Sequence, residues 1–153
     1  MPDDEPTKIT HSEHYLRKRR RERRRRKERK RLAKIAAAEP ALRAMCERFP
    51  DCFSLGDLRA PLKINIRDEL IAAMPEFTPE LITHALRIYT GDILAYRAGF
   101  FVGAIRRDLY GCPAGEVSVD DATHAGNALL DIDADVAAAM IARSVVAASS
   151  LAA

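Results

Sequence analysis

Tryptophan is missing from this chain of 153 residues, and aromatic residues make up only 6% of it. A core with so few rings has to be filled mostly by aliphatic side chains. Cysteine is scarce as well: Cys46, Cys52 and Cys112 are an odd number, and none stands in a CxxC pair. That argues against a disulfide framework or a closed zinc site and fits a reducing cytoplasm. No run reaches the about 18 apolar residues of a membrane span. The N-terminus has no apolar stretch after its charges, so it does not read as a secretory signal. Clustered carboxylates for a two-metal site are lacking, as is a spaced Ser/His/Asp or Cys/His set, so the chain is not expected to be an enzyme. His11 and His14 stand three apart without ligands to complete a metal site, and no cofactor is expected. Recognition-helix and zinc-finger patterns of DNA-binding proteins are also absent.

Positive charge is plentiful, and it is unevenly placed. Residues 1–34 hold 15 Lys/Arg against 6 Asp/Glu, a net +9, whereas residues 35–153 hold 10 against 16, a net −6. The basic character therefore belongs to one N-terminal segment. Residues 1–14 are polar and are expected to be disordered. Residues 15–38 form an Arg-rich arm of Arg, Lys, Glu and Ala, all good helix formers, with no Gly or Pro between Thr7 and Glu39. Like charges four apart oppose the helix, and only Glu22 and Glu28 relieve them, so the arm is expected to be partly helical in isolation. Its expected phosphate ligands are Arg17, Arg19, Arg20, Arg21, Arg23, Arg24, Arg25, Arg26, Lys27, Arg29, Lys30 and Arg31. Such a run supplies affinity for polyanions but little sequence readout.

The folded body is expected over residues 39–131. Pro40 suits the first turn of a helix, and Leu42, Met45, Cys46 and Phe49 then fall on one apolar stripe that Pro50 ends. Asp51–Ser54 and Gly56-Asp57 read as loop. Pro61–Ile64 reads as extended, and Asn65 as an N-cap with Asp68 as its capping-box partner. Lys63 stands just before that helix start. Thr78-Pro79-Glu80 opens a further helix whose buried stripe is Leu81, Ile82, Ala85, Leu86 and Tyr89, leaving Arg87 off it. Gly91 ends this helix and Asp92 starts a short one through Tyr96 and Arg97. Ser118–Asp121 is another cap, leading a helix to Leu130. Residues 132–153 are Ala-rich and read as a C-terminal helix or tail.

The stretch Gly103–Gly111 organises the body. Apolar Ala104 and Ile105 precede the paired Arg106 and Arg107, then Asp108-Leu109 and a glycine, and Pro113–Ser118 returns as a second short strand. Alternation on a two-strand ribbon puts Arg106 and Arg107 on opposite faces. Arg106 is expected to point into a concave site and reach a phosphate or a terminal ribose. The competing reading is a solvated hairpin with exposed charge. Asp108 reads either as an acid at that site or as a turn residue capping its own backbone.

Taken in order, these pieces resemble the ProQ/FinO family of bacterial RNA chaperones. The resemblance runs from Leu42 to Leu130 and rests on Phe49-Pro50-x-Cys52-Phe53, Pro61-Leu62-Lys63-Ile64-x-Ile66 and Ala85-Leu86-Arg87-x-Tyr89-Thr90. It continues through Tyr96, Gly103-Ala104-x-Arg106-x-Asp108-Leu109-x-Gly111, Gly115 and His124-Ala125. It implies a mainly α domain with a short β-hairpin, extended here by a basic helical N-terminal segment. It also implies binding to structured RNA, typically a terminator-like hairpin with a single-stranded 3′ tail, in post-transcriptional regulation that protects or anneals small RNAs.

By position, Lys63, Arg87, Tyr96 and Arg106 match family residues of the RNA-binding face, and Glu69 stands where the family often has Asp. Arg97, Arg107 and Asp108 are counted with them. The partners implied are small RNAs or mRNA 3′ ends, with the folded domain a monomer. Three departures stand out: Asn65 replaces a usual Gly, Pro79 and Thr83 replace basic residues of some members, and one residue is inserted between Tyr89 and Tyr96. The alternative is a protein that coats nucleic acid non-specifically through its arm.

Overall fold

The structure is a computed structural model and describes residues 11–56 and 58–151. The chain divides into two compact units, residues 1–36 and 37–153. Among the described residues the fold is mainly helical with one two-stranded antiparallel sheet, as expected. No helix among them is long and apolar enough to cross a membrane.

The first unit holds the N-terminal part of α1 (His11–Arg48). Side chains from Ser12 to Ala36 are all exposed, so tertiary burial contributes nothing and local propensity carries the helix. Arg31 pairs with Glu28 at 3.7 Å, and the Arg19 guanidinium lies 5.8 Å from the Tyr15 ring. Exposed contacts of this kind are screened by solvent and contribute little. Residues 1–10, expected to be disordered, lie outside the described residues. His11–His14, expected with them, are helical instead.

The start of the body also differs from expectation. Pro40 does not open a helix but lies inside α1. A proline there removes one backbone hydrogen bond and crowds the carbonyl of Ala36, at roughly 3 kcal/mol. The turn is kept because Ala38, Ala41 and Met45, on the face beside it, are wholly buried. The buried face is Ala38, Ala41, Met45 and Phe49, with Leu42 and Cys46 half-buried at its margin. The helix ends at Arg48, just before Pro50.

α2 (Ile66–Ala73) buries Ile66 and Leu70. Asn65 does not cap it: its backbone is left-handed, with φ 65°, and its side chain makes no cap bond. In that conformation Asn65 supplies the turn that glycine would, a task asparagine tolerates better than most residues. α3 (Pro79–Gly91) begins as expected, the Thr78 hydroxyl accepting the Leu81 N–H at 3.3 Å. α4 (Ile93–Arg97) is capped by Asp92. Rings from four segments meet edge to face: Phe53 with Tyr89 at 5.1 Å, Tyr89 with Tyr96 at 6.1 Å, and Tyr96 with Phe100 at 4.9 Å. Such pairs add about 0.5–1.5 kcal/mol each beyond the area they bury.

β1 (Ile105–Arg107) pairs antiparallel with β2 (Pro113–Glu116), with an irregularity between Ile105 and Arg107. α5 (Val119–Leu130) starts at a Ser118 cap that accepts from the Asp121 N–H at 3.1 Å. α6 (Ala134–Leu151) buries Ala137 and Met140, and its Ser144 hydroxyl accepts the Val102 N–H at 3.0 Å. The first half of α6 is therefore part of the core, and the body does not stop at residue 131.

Candidate nucleic-acid interface

Pro61–Lys63 lies beside β1 as a third extended piece. The Arg107 N–H donates to the Pro61 carbonyl at 2.9 Å, and the Lys63 N–H donates to the Arg107 carbonyl at 2.8 Å, in a parallel bridge. Leu62, between them, is buried. Its N–H is accepted by the Tyr96 hydroxyl at 3.3 Å, and its carbonyl accepts from Arg106 Nη1 at 2.9 Å. The pairing brings Lys63, Arg106 and Arg107 onto neighbouring strands. Arg97 joins them through a ring: its guanidinium lies 5.3 Å from the centre of Phe100, and that of Arg106 lies 5.4 Å from it.

The hairpin alternates as expected, with Arg106 inward and Arg107 outward, but Arg106 does not stand free. Its side chain is 8% exposed, and Nη2 donates to Asp121 Oδ2 at 2.9 Å. A buried guanidinium has to be paired, and Asp121 meets that need. Arg107 is half-buried and donates from Nη1 to the Gly111 carbonyl at 3.0 Å, closing its own turn.

Tyr96 differs from expectation more sharply. Its ring faces the core at 6% exposure, and burial pushes its hydroxyl pKa up. The ring packs against Tyr89 and Phe100. The hydroxyl instead satisfies Leu62, a main-chain group that would otherwise be buried without a partner.

Asp108 takes the turn role: its Oδ1 accepts from the N–H groups of Tyr110 and Cys112, both at 2.9 Å. Lys63 forms an ion pair and hydrogen bond with Glu69, and that bond, followed by the carboxylates of Glu69 and Asp108, raises its pKa. Arg87 is exposed on α3 with no hydrogen bond or ion pair among the described residues, and no contact joins it to the Lys63–Arg106 group.

Of the ten Lys/Arg from residue 35 onward, Arg43, Arg48, Arg59, Lys63, Arg67 and Arg106 each have a carboxylate partner. Arg87, Arg97, Arg107 and Arg143 have none among the described residues.

Asp121 and Phe100 are the members that sequence reasoning missed. Asp121 is legible as the fourth residue of a capping box, but nothing local ties it to Arg106, fifteen positions earlier. Hydrogen bonding to Ser118, and then to Arg106, holds its carboxyl below the usual range. Among the described residues no group of His, Cys, Asp and Glu is disposed to hold a metal ion.

The family model for ProQ/FINO matches residues 35–141. The solution structure of a ProQ homolog from Legionella pneumophila is 25% identical, with a TM-score of 0.52 over 65% of this chain and 82% of its own. The crystal structure of a FinO-like RNA chaperone from Neisseria meningitidis MC58 is 21% identical, with a TM-score of 0.51 over 80% of this chain and 88% of its own. The latter bears on the fold alone. The matched span starts inside α1 and ends inside α6, so it takes in the aromatic contacts, the Leu62–Arg106 junction and the hairpin together: the chain belongs to the ProQ/FinO family.

Proposed function

We propose that this protein is an RNA-binding chaperone that recognises a terminator-like hairpin with a single-stranded 3′ tail, as a monomer, and protects or anneals small RNAs or mRNA 3′ ends. Family membership over residues 35–141 carries the reading. The charge geometry supports it. The body is net acidic, yet among the described residues Arg107, paired beside Lys63, and Arg97, which shares the Phe100 ring with Arg106, stand without carboxylate partners. A-form duplexes are recognised through shape, phosphates and 2′-hydroxyls, for which a few fixed cations suffice.

Lys63, Arg97 and Arg107 are the phosphate contacts in this reading, with Arg87 as a separate contact on α3. Glu69, already beside Lys63, accepts ribose hydroxyls, while Tyr96 and Asp108 hold the backbone that presents them. Arg17–Arg31 add affinity that depends steeply on salt.

A second reading, coating of nucleic acid through the arm alone, is favoured by the exposure of every side chain from Ser12 to Ala36. One experiment separates the two. Full-length protein, and a variant with Arg23, Arg24, Arg25 and Arg26 changed to Gln, are titrated with a hairpin bearing a U-rich tail. The tail ends in a 3′-hydroxyl or a 3′-phosphate, across a salt series. Retained preference for the 3′-hydroxyl in the arm variant is the expected result. Binding that ignores the 3′ end and follows only arm charge would leave the coating reading in its place.

A further inference from the structure

Arg106 presents a half-used edge. Nη1 is committed inward to the Leu62 carbonyl, and Nη2 donates to one oxygen of Asp121. Nε, which shares an edge of the guanidinium with Nη2, is buried and has no hydrogen-bond partner among the described residues. That edge matches an acceptor with two oxygens, and here it receives one. The two partners are also unequally placed: the Arg106 side chain is 8% exposed and that of Asp121 is 47% exposed. The cation is fixed in the interior, and its counter-ion is half exposed to solvent.

Displacing the counter-ion from Arg106 costs that one bond and leaves Asp121 within reach of the Ser118 cap. Asp121 lies in the first turn of α5, where a carboxylate is favoured by the helix dipole without any help from Arg106. Turned outward, it remains near that helix end and becomes solvated. A phosphate in its place offers oxygens to both Nε and Nη2, satisfying a donor that now has no acceptor.

We propose that Asp121 is a resident anion on the Arg106 edge, displaced when a phosphate of bound RNA takes Nε and Nη2 together. The inference rests on the RNA-binding reading above. A tethered carboxylate competes at high effective concentration. A phosphate of a loosely held RNA loses to it, whereas one whose RNA is also held at its other phosphates by Lys63, Arg97 and Arg107 prevails. Asp121 thereby makes Arg106 a selective cation, and its removal trades selectivity for affinity.

The test uses the full chain, with Asp121→Asn set against Asp120→Asn. Asp120 is exposed and unpaired among the described residues, so its variant carries the same change in charge without releasing Arg106. The probes are the tailed hairpin and an unstructured U-rich RNA. Asp121→Asn is expected to bind about three- to ten-fold more tightly, with a salt slope steeper by about 0.7–0.9. The unstructured RNA should gain more than the hairpin, and Asp120→Asn should stay within about two-fold of wild type. Equal effects of the two variants, or weaker binding by a folded Asp121→Asn, overturn the proposal.

Should Asp121→Asn fail to fold, the Nε–H resonance of Arg106 in the wild-type protein decides. A shift on saturation with RNA is expected, and an unmoved resonance overturns the proposal. Binding that is untouched when Arg87, Arg97 and Arg107 are all changed to Ala overturns the RNA-binding reading of the body, and this proposal with it. Binding that needs those residues but ignores Asp121→Asn overturns this proposal alone.

Discussion

The Tyr96 hydroxyl and the Leu62 N–H are hydrogen-bond partners across 34 positions of chain, at 3.3 Å. The bond ties the helix carrying Tyr96 to the extended piece that presents Lys63. Tyr96→Phe keeps the ring and leaves the Leu62 N–H buried without an acceptor, which costs about 1–3 kcal/mol. Chemical denaturation should show that loss. RNA affinity under strongly native conditions should change less than three-fold, because the ring faces the core. A large affinity loss at unchanged stability would return Tyr96 to the interface.

Arg87 gives the opposite signature. It is exposed and unpaired among the described residues, so Arg87→Ala should leave stability within about 0.5 kcal/mol of wild type. Binding should weaken across all RNA sequences, with a salt slope shallower by about 0.7–0.9. A slope that stays the same removes Arg87 from the phosphate contacts.

Two glycines separate close approach from free space. A Cβ on Gly99 would lie 2.5 Å from the Arg59 carbonyl oxygen, a backbone atom that cannot swing aside. Gly99→Ala is expected to destabilise by about 2–4 kcal/mol. A Cβ on Gly126 would lie 3.1 Å from Met140 Cε, the end of a flexible side chain. Gly126→Ala should be neutral or stabilising by up to about 1 kcal/mol, since it removes a helical glycine. Thermal melts of the pair check both signs.

The thiols should react unequally. Burial, followed by the nearby Asp108 and Glu69 carboxylates, pushes Cys52 up from 9.0 to about 12. At pH 8 it is thiolate in roughly one part in ten thousand. An alkylating probe should label exposed Cys112 readily and reach Cys52 only on unfolding. Between pH 9.0 and about 12 the unfolded chain releases the Cys52 proton while the folded chain keeps it. Stability contributed by the buried neutral thiol must therefore fall as pH rises through that window. Denaturation midpoints across alkaline pH test this, with Cys52→Ala flattening the Cys52 contribution.

Much of the fold was legible because its signals are local. Thr78-Pro79-Glu80 and Ser118–Asp121 start helices where cap chemistry says they should. Tyr89 lies on the buried stripe, and Arg106 and Arg107 alternate across the hairpin. What could not be read depends on contacts between distant segments. Pro40 obeys no local rule, because burial of Ala38, Ala41 and Met45 overrides it. Asn65 looks like a cap until its backbone turns left-handed. Arg106 reads as a free cation until α5 brings Asp121 to it, and Tyr96 as a surface ring until the Leu62 main chain claims its hydroxyl. The last two misses assigned outward a polar group that a distant partner draws in.

Asn65 also bears on how this site can drift over evolutionary time. Its φ of 65° lies in a region that glycine, asparagine and aspartate enter readily and β-branched residues avoid. Substitutions among those few residues leave the path from Lys63 into α2 unchanged. Other residues hold that conformation at a cost of about 1–2 kcal/mol, borne two residues after Lys63 and its ion pair with Glu69. A position that touches no ligand thus narrows the changes a lineage can accept at its neighbours.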